Sequence, residues 1–496
     1  MDKSKEPSES IHTSEEYSDH EKLYIINEEG LLEYEPSNPD KPGNWSQKKK
    51  LYHTVLFGLT TFAAQLDSTA MSTASFSTLI NEEFGIEREV SLLTSSLYIL
   101  GIALGPMVFA PLSEVYGRKI GVLIPFLCSA IFTFAVATCY NVPSLMIFRF
   151  LSGFFAGAPI VSAGGVLADL YPDASVRGKY FAVYALFVSM GPSYGPTIAS
   201  LLMYSEDKPS AWRIPQYFSG LLNVVLFVIC EILLDETYVP VLLQKQAKKM
   251  RIQENKWEIH SRLDMWQLDF KDLASVHLVR PFAMLVTPIV FTITLFASYV
   301  YGVFYLIITT MPESFTLTRG WEGTISTLPN ISLFIGVVSG CVANMFWAKK
   351  YGILLRANNF KPIPEERFPI LMYGAWLMPT GIFIFAWTSS PNIHWVVPCI
   401  GISCIGFSFI LIFQGSLNYL VDTYTKYSAS AIACATFLRS IFAASYPLFA
   451  KQLFVNLGVH WGASVIGFIA LGMVPIPFVF YKYGAAIRQK NPYKGV

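Results

Sequence analysis

Two charges sit where an apolar chain segment hardly tolerates them. Asp67 lies in FAAQLDSTAMSTASF and Arg149 in PSLMIFRFLSGFFAGAP, each inside an otherwise apolar run. A charge at the centre of a bilayer costs about 2.5–3.5 kcal/mol on insertion scales, so such residues are functional by default. Counting about 1.5 Å per residue from the outer ends of their runs puts both roughly 10 Å deep. At comparable depth they can pair. A carboxylate in such a pair can take up and release a proton, with the arginine tuning its affinity as an opposite charge does. A static structural ion pair is the other reading these residues leave open.

A third deep charge is Arg439, in SAIACATFLRSIFAASYPLFAKQLF. It can repel cations, bind a carboxylate or pair with a carbonyl near a broken helix, and sequence leaves all three open. Tyr301 and Tyr305 are four residues apart and share a helical face, as do Gln414 and Asn418. Aromatic faces and amides suit flat or cationic organic solutes through cation–π contact and hydrogen bonding. Tyrosines in apolar helices also serve as packing or interface anchors, so these four and Arg439 are substrate-binding candidates only.

The elements that must hold these residues follow from composition. Of 496 residues, 53% are hydrophobic and 14% charged, against about a quarter charged in soluble domains. That deficit excludes an ordinary cytosolic enzyme and points to a polytopic all-α membrane protein. Twelve segments are long and apolar enough to span: 52–74, 91–112, 120–139, 143–169, 179–203, 213–234, 282–309, 324–347, 370–388, 394–420, 428–453 and 458–483. Only CYNVP and SSPNIH separate two neighbouring pairs, but Pro and Asn suit tight helical hairpins. The seven cysteines lie in apolar runs without metal or redox spacing, and we expect buried thiols. No metal site and no cofactor is expected.

Lys and Arg placement biases loops toward the cytoplasm. Lys48, Lys49 and Lys50 precede the first span, Arg118 and Lys119 follow the second, and Arg177 and Lys179 follow the fourth. Eight basic residues lie between the sixth and seventh. Both termini are therefore predicted to be cytoplasmic. Residues 1–50 form a polar, acidic tail with no signal peptide, predicted to be disordered, with phosphorylation as a sharper possibility. Six spans at 51–234 and six at 282–483 flank a linker, 235–281, whose LLQKQAKKMR and LDMWQLDFKDL are amphipathic. Residues 484–496 form a second tail. GPMVFAPLSEVYG ends the second span and GCVANMFWAKKYG the eighth, a weak internal repeat of the kind transporters carry.

In the first of these repeats, helix two must stop and reverse at the surface. Gly117 suits the turn, Arg118 and Lys119 the headgroup boundary, and Glu114 lies one turn from Arg118. The run Ala110-Pro111-Leu112-Ser113-Glu114-Val115-Tyr116-Gly117-Arg118-Lys119 resembles the cytoplasmic loop motif GxLaDrxGrk of the major facilitator superfamily, with Ala110 for Gly and Glu114 for Asp. Arg149-Phe150-Leu151-Ser152-Gly153 is similar to that superfamily's span-four RxxqG motif. Gly191, Pro192, Gly195 and Pro196 in VSMGPSYGPTIAS leave a thin helix face for close approach, and resemble the antiporter motif gxxxGPxxGG, with Phe187 and Pro196 departing from it. Across about residues 40–490 the chain resembles fungal drug:proton antiporters with twelve spans, the branch of polyamine and multidrug exporters.

The resemblance implies a major facilitator fold of two six-helix bundles and alternating access driven by the proton gradient. It implies a gate-latching role for Glu114, Gly117, Arg118 and Lys119, and proton coupling through Asp67 and Arg149. The substrate class is organic cations, hydrophobic drugs or polyamines. Polyamines would want more carboxylates than the spans provide, which favours drug-like solutes. Import of a small nutrient solute is the alternative on the same fold. The expected setting is a monomer in the plasma membrane, or the vacuolar membrane, contacting lipid, solute and protons but no nucleic acid. No HExxH, GxSxG or Walker motif supports an enzyme.

Overall fold

The computed structural model describes residues 24–27, 30–76, 78–204, 208–265, 279–359, 361–424 and 427–489. Its helices start and stop where local chemistry requires. The helix α1 spans Gln47–Phe76, α2 Arg88–Val115, α3 Arg118–Ala137, α4 Val142–Leu170, α5 Ala174–Met203 and α6 Arg213–Leu233. After a further helix α7, Val239–Glu254, come α8 Pro288–Arg319, α9 Asn330–Ala357, α10 Phe368–Thr388, α11 Val396–Thr423, α12 Ser428–Lys451, α13 Gly458–Met473 and α14 Pro475–Gln489. Among the described residues ten spans meet the length and hydropathy of a membrane crossing. The helices α1 and α5 are as long but richer in Ser, Thr and Gly, which lowers their hydropathy without shortening them.

The two short hairpins form as their sequences require. Asn141 caps α4 by accepting from the Ser144 N–H at 2.8 Å, with a proline in its first turn. Three boundaries differ from the sequence expectation. The seventh span starts at Pro288 and runs on to Arg319, because Thr309 and Thr310 bond back to the carbonyls of Tyr305 and Leu306 and so travel inside the helix. The eighth begins at Asn330, after a short separate helix Gly323–Thr327. The last is two helices, broken at Val474 ahead of Pro475, which has no N–H to continue the ladder.

The N-terminal tail is not wholly disordered, contrary to the expectation from its acidic composition. Strands β1 (Tyr24–Ile26) and β2 (Leu32–Tyr34) pair antiparallel. They dock on the linker: Leu32 N–H donates to His260 O at 2.9 Å and His260 N–H to Gly30 O at 3.0 Å. Leu32, Ala247, Met250 and Ile259 form a small apolar core beneath. Burial against α7 thus supplies what composition alone withholds. The proposed phosphorylated stretch, most of LDMWQLDFKDL and the last seven residues lie outside the described residues.

Helices α1 to α6 form one half and α8 to α14 the other, and they meet along two antiparallel pairings, α2 with α12 and α5 with α9. The face carrying the α7 linker is here the terminal face. At the opposite face, Arg88 pairs with Glu313 at 2.8 Å, Thr197 donates to Thr327 O at 3.2 Å and Ser200 to Thr324 Oγ1 at 3.3 Å. Ser96 donates to Ala444 O at 2.6 Å. All four cross between halves. At the terminal face the described ion pairs instead stay within one half, as in Arg118 with Asp169 and Arg367 with Asp422. All seven cysteines are free; Cys128 and Cys404 are partly exposed on the helix surface, not buried as expected, and the other five are buried.

Candidate functional site

Asp67 and Arg149 meet in the middle of the first half, Oδ1 to Nη1 at 3.0 Å, with both side chains 0% exposed. Five helices close around them. Arg149 donates from Nε to Thr94 O at 3.0 Å, from Nη2 to Asp67 O at 3.1 Å and from Nη1 to Gln216 Oε1 at 3.4 Å. Its guanidinium carbon lies 4.4 Å from the Tyr98 ring centroid. Thr133 donates to Asp67 Oδ2 at 3.3 Å and bonds to Ser152 Oγ at 2.8 Å. A buried ion pair survives only when its remaining donors and acceptors are met, and this one is met from α1, α2, α3, α4 and α6.

The glycine–proline face of α5 is pressed against α1 beside this pair. A Cβ on Gly191 would stand 2.6 Å from Phe62 O and 2.7 Å from Gln65 Cβ. Gly195 has Leu66 O at 2.7 Å from the same virtual position. Pro196 has no N–H to meet Pro192 O within α5, and α1 meets it instead: Thr69 donates to Pro192 O at 3.0 Å, and Thr73 adds a bond to Pro196 O at 3.2 Å.

At the residues flanking Asp67 on α1 the first half reaches the second. Tyr305 OH donates to Gln65 Oε1 at 3.1 Å and shares a hydrogen bond with Ser68 Oγ at 3.2 Å. The Tyr301 ring lies 5.2 Å from that of Tyr305 and 5.7 Å from Phe413. Arg439 is 5.2 Å from the Tyr301 centroid and 5.0 Å from Phe413. Tyr301, Tyr305 and Arg439 are therefore brought together at the seam. Gln414 is buried with its Nε2 lacking a partner among the described residues, and Asn418 is partly exposed on the same helix.

The loop motif is a separate cluster at the terminal face. Gly117 has φ 98°, open to glycine and costly to other residues. Glu114 lies 3.7 Å from Arg118, whose Nη1 donates to Ser113 Oγ at 2.7 Å and whose Nε meets Asp169 at 3.4 Å. Its organiser, Glu236, was not singled out from sequence. Glu236 accepts the N–H groups of Arg118 at 2.8 Å, Lys119 at 3.1 Å, Thr237 at 2.9 Å and Tyr238 at 2.8 Å. A carboxylate at the start of α3 also suits the positive end of that helix. Lys119 Nζ pairs with Glu231 at 3.4 Å. Gln65, Ser68, Thr133 and Gln216 were likewise not singled out, although Gln65 and Ser68 flank Asp67 within the same short stretch.

Two bundles of long apolar helices, a buried charge pair and a polar seam between the halves define a multi-pass membrane transporter, not an enzyme. The Major Facilitator Superfamily profile matches residues 57–447, and the chain belongs to that superfamily. It is 38% identical to the efflux pump bik6 of Gibberella fujikuroi over 458 residues, 92% of this chain and 93% of the other. It is 34% identical to the major facilitator superfamily multidrug transporter FLU1 of Candida albicans, over 92% of this chain and 75% of that one. The multidrug transporter mdrA of Aspergillus fumigatus is 35% identical over 92% of this chain and 74% of its own length. The proton:xylose symporter XylE shares the fold, with a TM-score of 0.61, 14% identity and 88% of this chain and 96% of that one covered.

Proposed function

We propose that the chain is a proton-coupled exporter of hydrophobic, drug-like organic solutes, working by alternating access with both termini in the cytoplasm of a fungal cell and the plasma membrane as its site. The observation that carries this reading is the continuity from Asp67 through Ser68 and Gln65 to Tyr305, which joins a titratable pair in one half to the aromatic seam of the other. Deprotonated Asp67 holds Arg149; a proton on Asp67 removes that attraction and frees the α1 to α4 contact to rearrange. The relatives named as efflux pump and multidrug transporters, and the glycine–proline face on α1, support export over import. With cytoplasmic termini, the contacts at the opposite face make this arrangement closed to the outside. Polyamines fit the seam poorly, since Asp67 is taken by Arg149 and Arg439 adds positive charge.

The test is solute uptake into acid-inside, inside-out vesicles. Accumulation is expected to collapse with a protonophore and to vanish in Asp67→Asn. Because that variant leaves Arg149 uncompensated, Asp67→Asn with Arg149→Gln is the companion: it is expected to equilibrate solute without concentrating it. Gradient-driven accumulation retained by the double variant would leave Asp67 and Arg149 a structural pair. Accumulation only with the gradient reversed would make the chain an importer.

A further inference from the structure

Arg439 differs from the other deep arginine in what surrounds it. Arg149 is met by an acid, two carbonyls and an amide. Arg439, partly exposed, contacts two ring faces and among the described residues makes neither an ion pair nor a hydrogen bond. The two ring centroids are 5.7 Å apart while each is about 5 Å from the guanidinium. A cation sandwiched between rings would hold them nearly twice as far apart, so both rings line one side of it. Its five N–H donors, set in a fork, meet no acceptor among the described residues.

These rings border the seam, since Tyr301 neighbours Tyr305, which bonds Gln65 and Ser68 of the first half. Counting about 1.5 Å per residue, Arg439 lies roughly 16 Å along α12 from its terminal-face end. Phe409 continues the aromatic wall, stacked 4.0 Å from Phe304 and 5.6 Å from Phe413. Gln414, next along α11 from Phe413, carries a buried Nε2 donor with no acceptor among the described residues. The seam thus offers donors and a positive charge, while the deep carboxylate is consumed by Arg149. A guanidinium fork matches a carboxylate in two parallel hydrogen bonds, which an ammonium cannot do.

We propose that Arg439 anchors an anionic group of the transported solute, so that the preferred substrates are planar aromatic weak acids in their ionised form, the carboxylate or phenolate on Arg439 and the ring system against Tyr301 and Phe413. This rests on the transporter reading and names the solute class for it. It sets aside the organic cations and polyamines among the classes that the family resemblance implies.

The test uses three probes with one ring system: 2-naphthoate, 2-naphthamide and (2-naphthylmethyl)trimethylammonium. Calorimetric binding to the purified full chain is expected to rank naphthoate at least tenfold above the other two. Arg439→Gln should lose that margin while naphthamide changes less than twofold, and Arg439→Lys should recover part of it. Wild type that fails to bind naphthoate, or binds the ammonium probe more tightly, overturns the proposal. So does an equal loss of all three probes in Arg439→Gln with Arg439→Lys no better, which would mark a packing role. Uptake in acid-inside vesicles separates the two readings. Arg439-dependent naphthoate binding without gradient-driven uptake would defeat proton-driven export and leave the anion site standing. Gradient-driven uptake of the ammonium probe, unchanged in Arg439→Gln, would do the reverse.

Discussion

Ser68 and Tyr305 touch across the seam, hydroxyl to hydroxyl at 3.2 Å, and Ser68 is the residue after Asp67. Any shift of α1 that follows a change at Asp67 must stretch or break this contact. The same tyrosine holds Gln65 on the turn before.

Tyr305→Phe removes both hydrogen bonds and keeps the ring. Each such bond is worth about 1 kcal/mol net, so the purified variant should melt within a few degrees of wild type. Gradient-driven uptake should fall severalfold, because the link from the Asp67 stretch to the second half is lost while the fold is kept. An unchanged uptake rate in vesicles would remove Tyr305 from the coupling path.

Gly191→Ala puts a methyl group within 2.6 Å of Phe62 O and 2.7 Å of Gln65 Cβ. Overpacking of this kind costs about 1–3 kcal/mol, and thermal unfolding in detergent should show a clear drop. Gly164→Ala is the control, since a Cβ there meets nothing within 4 Å. Equal melting temperatures for the two variants would mean that α1 and α5 separate more easily than their contact implies.

Glu236→Ala strips four backbone N–H groups of their acceptor. Hydrogen bonds to a charged group contribute about 1.5–3 kcal/mol, so the loss should exceed that of Glu236→Gln, which keeps one acceptor oxygen. Hydrogen exchange of Arg118 and Lys119 reads this directly. Protection at these two amides should fall in the order wild type, Gln, Ala.

Asp264 lies in the linker, outside the spans. Burial raises its pKa, but donors from Gln244, Ser261 and Arg251 outweigh this and hold it below the usual 3.8. Its folded value is depressed, so its contribution to linker docking is present above the unfolded pKa and lost as pH falls through the folded one. Exchange protection over α7 should therefore decline below about pH 4. In Asp264→Asn that acid-dependent step should disappear; its persistence would assign the step to another group.

The charges at Asp67 and Arg149 were legible from sequence because each is rare in an apolar run. Their neighbours were not. Gln216, Thr133 and Tyr98 are uncharged residues of kinds that recur throughout such helices, and their convergence depends on how five helices are rotated about their axes. Glu236 stands in a connection rich in ordinary polar residues, and only the fold shows four N–H groups pointing at it. The helices themselves were readable from hydropathy, with misplaced ends where threonines or a proline altered local bonding, as at Pro288 and Pro475. The strands β1 and β2 were missed because the linker residues they dock on, His260 and the apolar Ala247, Met250 and Ile259, lie more than 200 residues away.

That hairpin has a consequence for how the two bundles are tethered. Because Leu32 and Gly30 clasp His260, the connection leaving α6 is tied to the N-terminal hairpin, and fewer residues separate the clasp from α8 than separate α6 from α8. A shorter leash raises the local concentration of one bundle at the other. Cutting the chain between residues 238 and 239 would leave the clasp to act as an adhesive joint between two fragments. Cutting it at 265 would put both jaws on the same fragment and leave the bundles to find each other by their membrane faces alone.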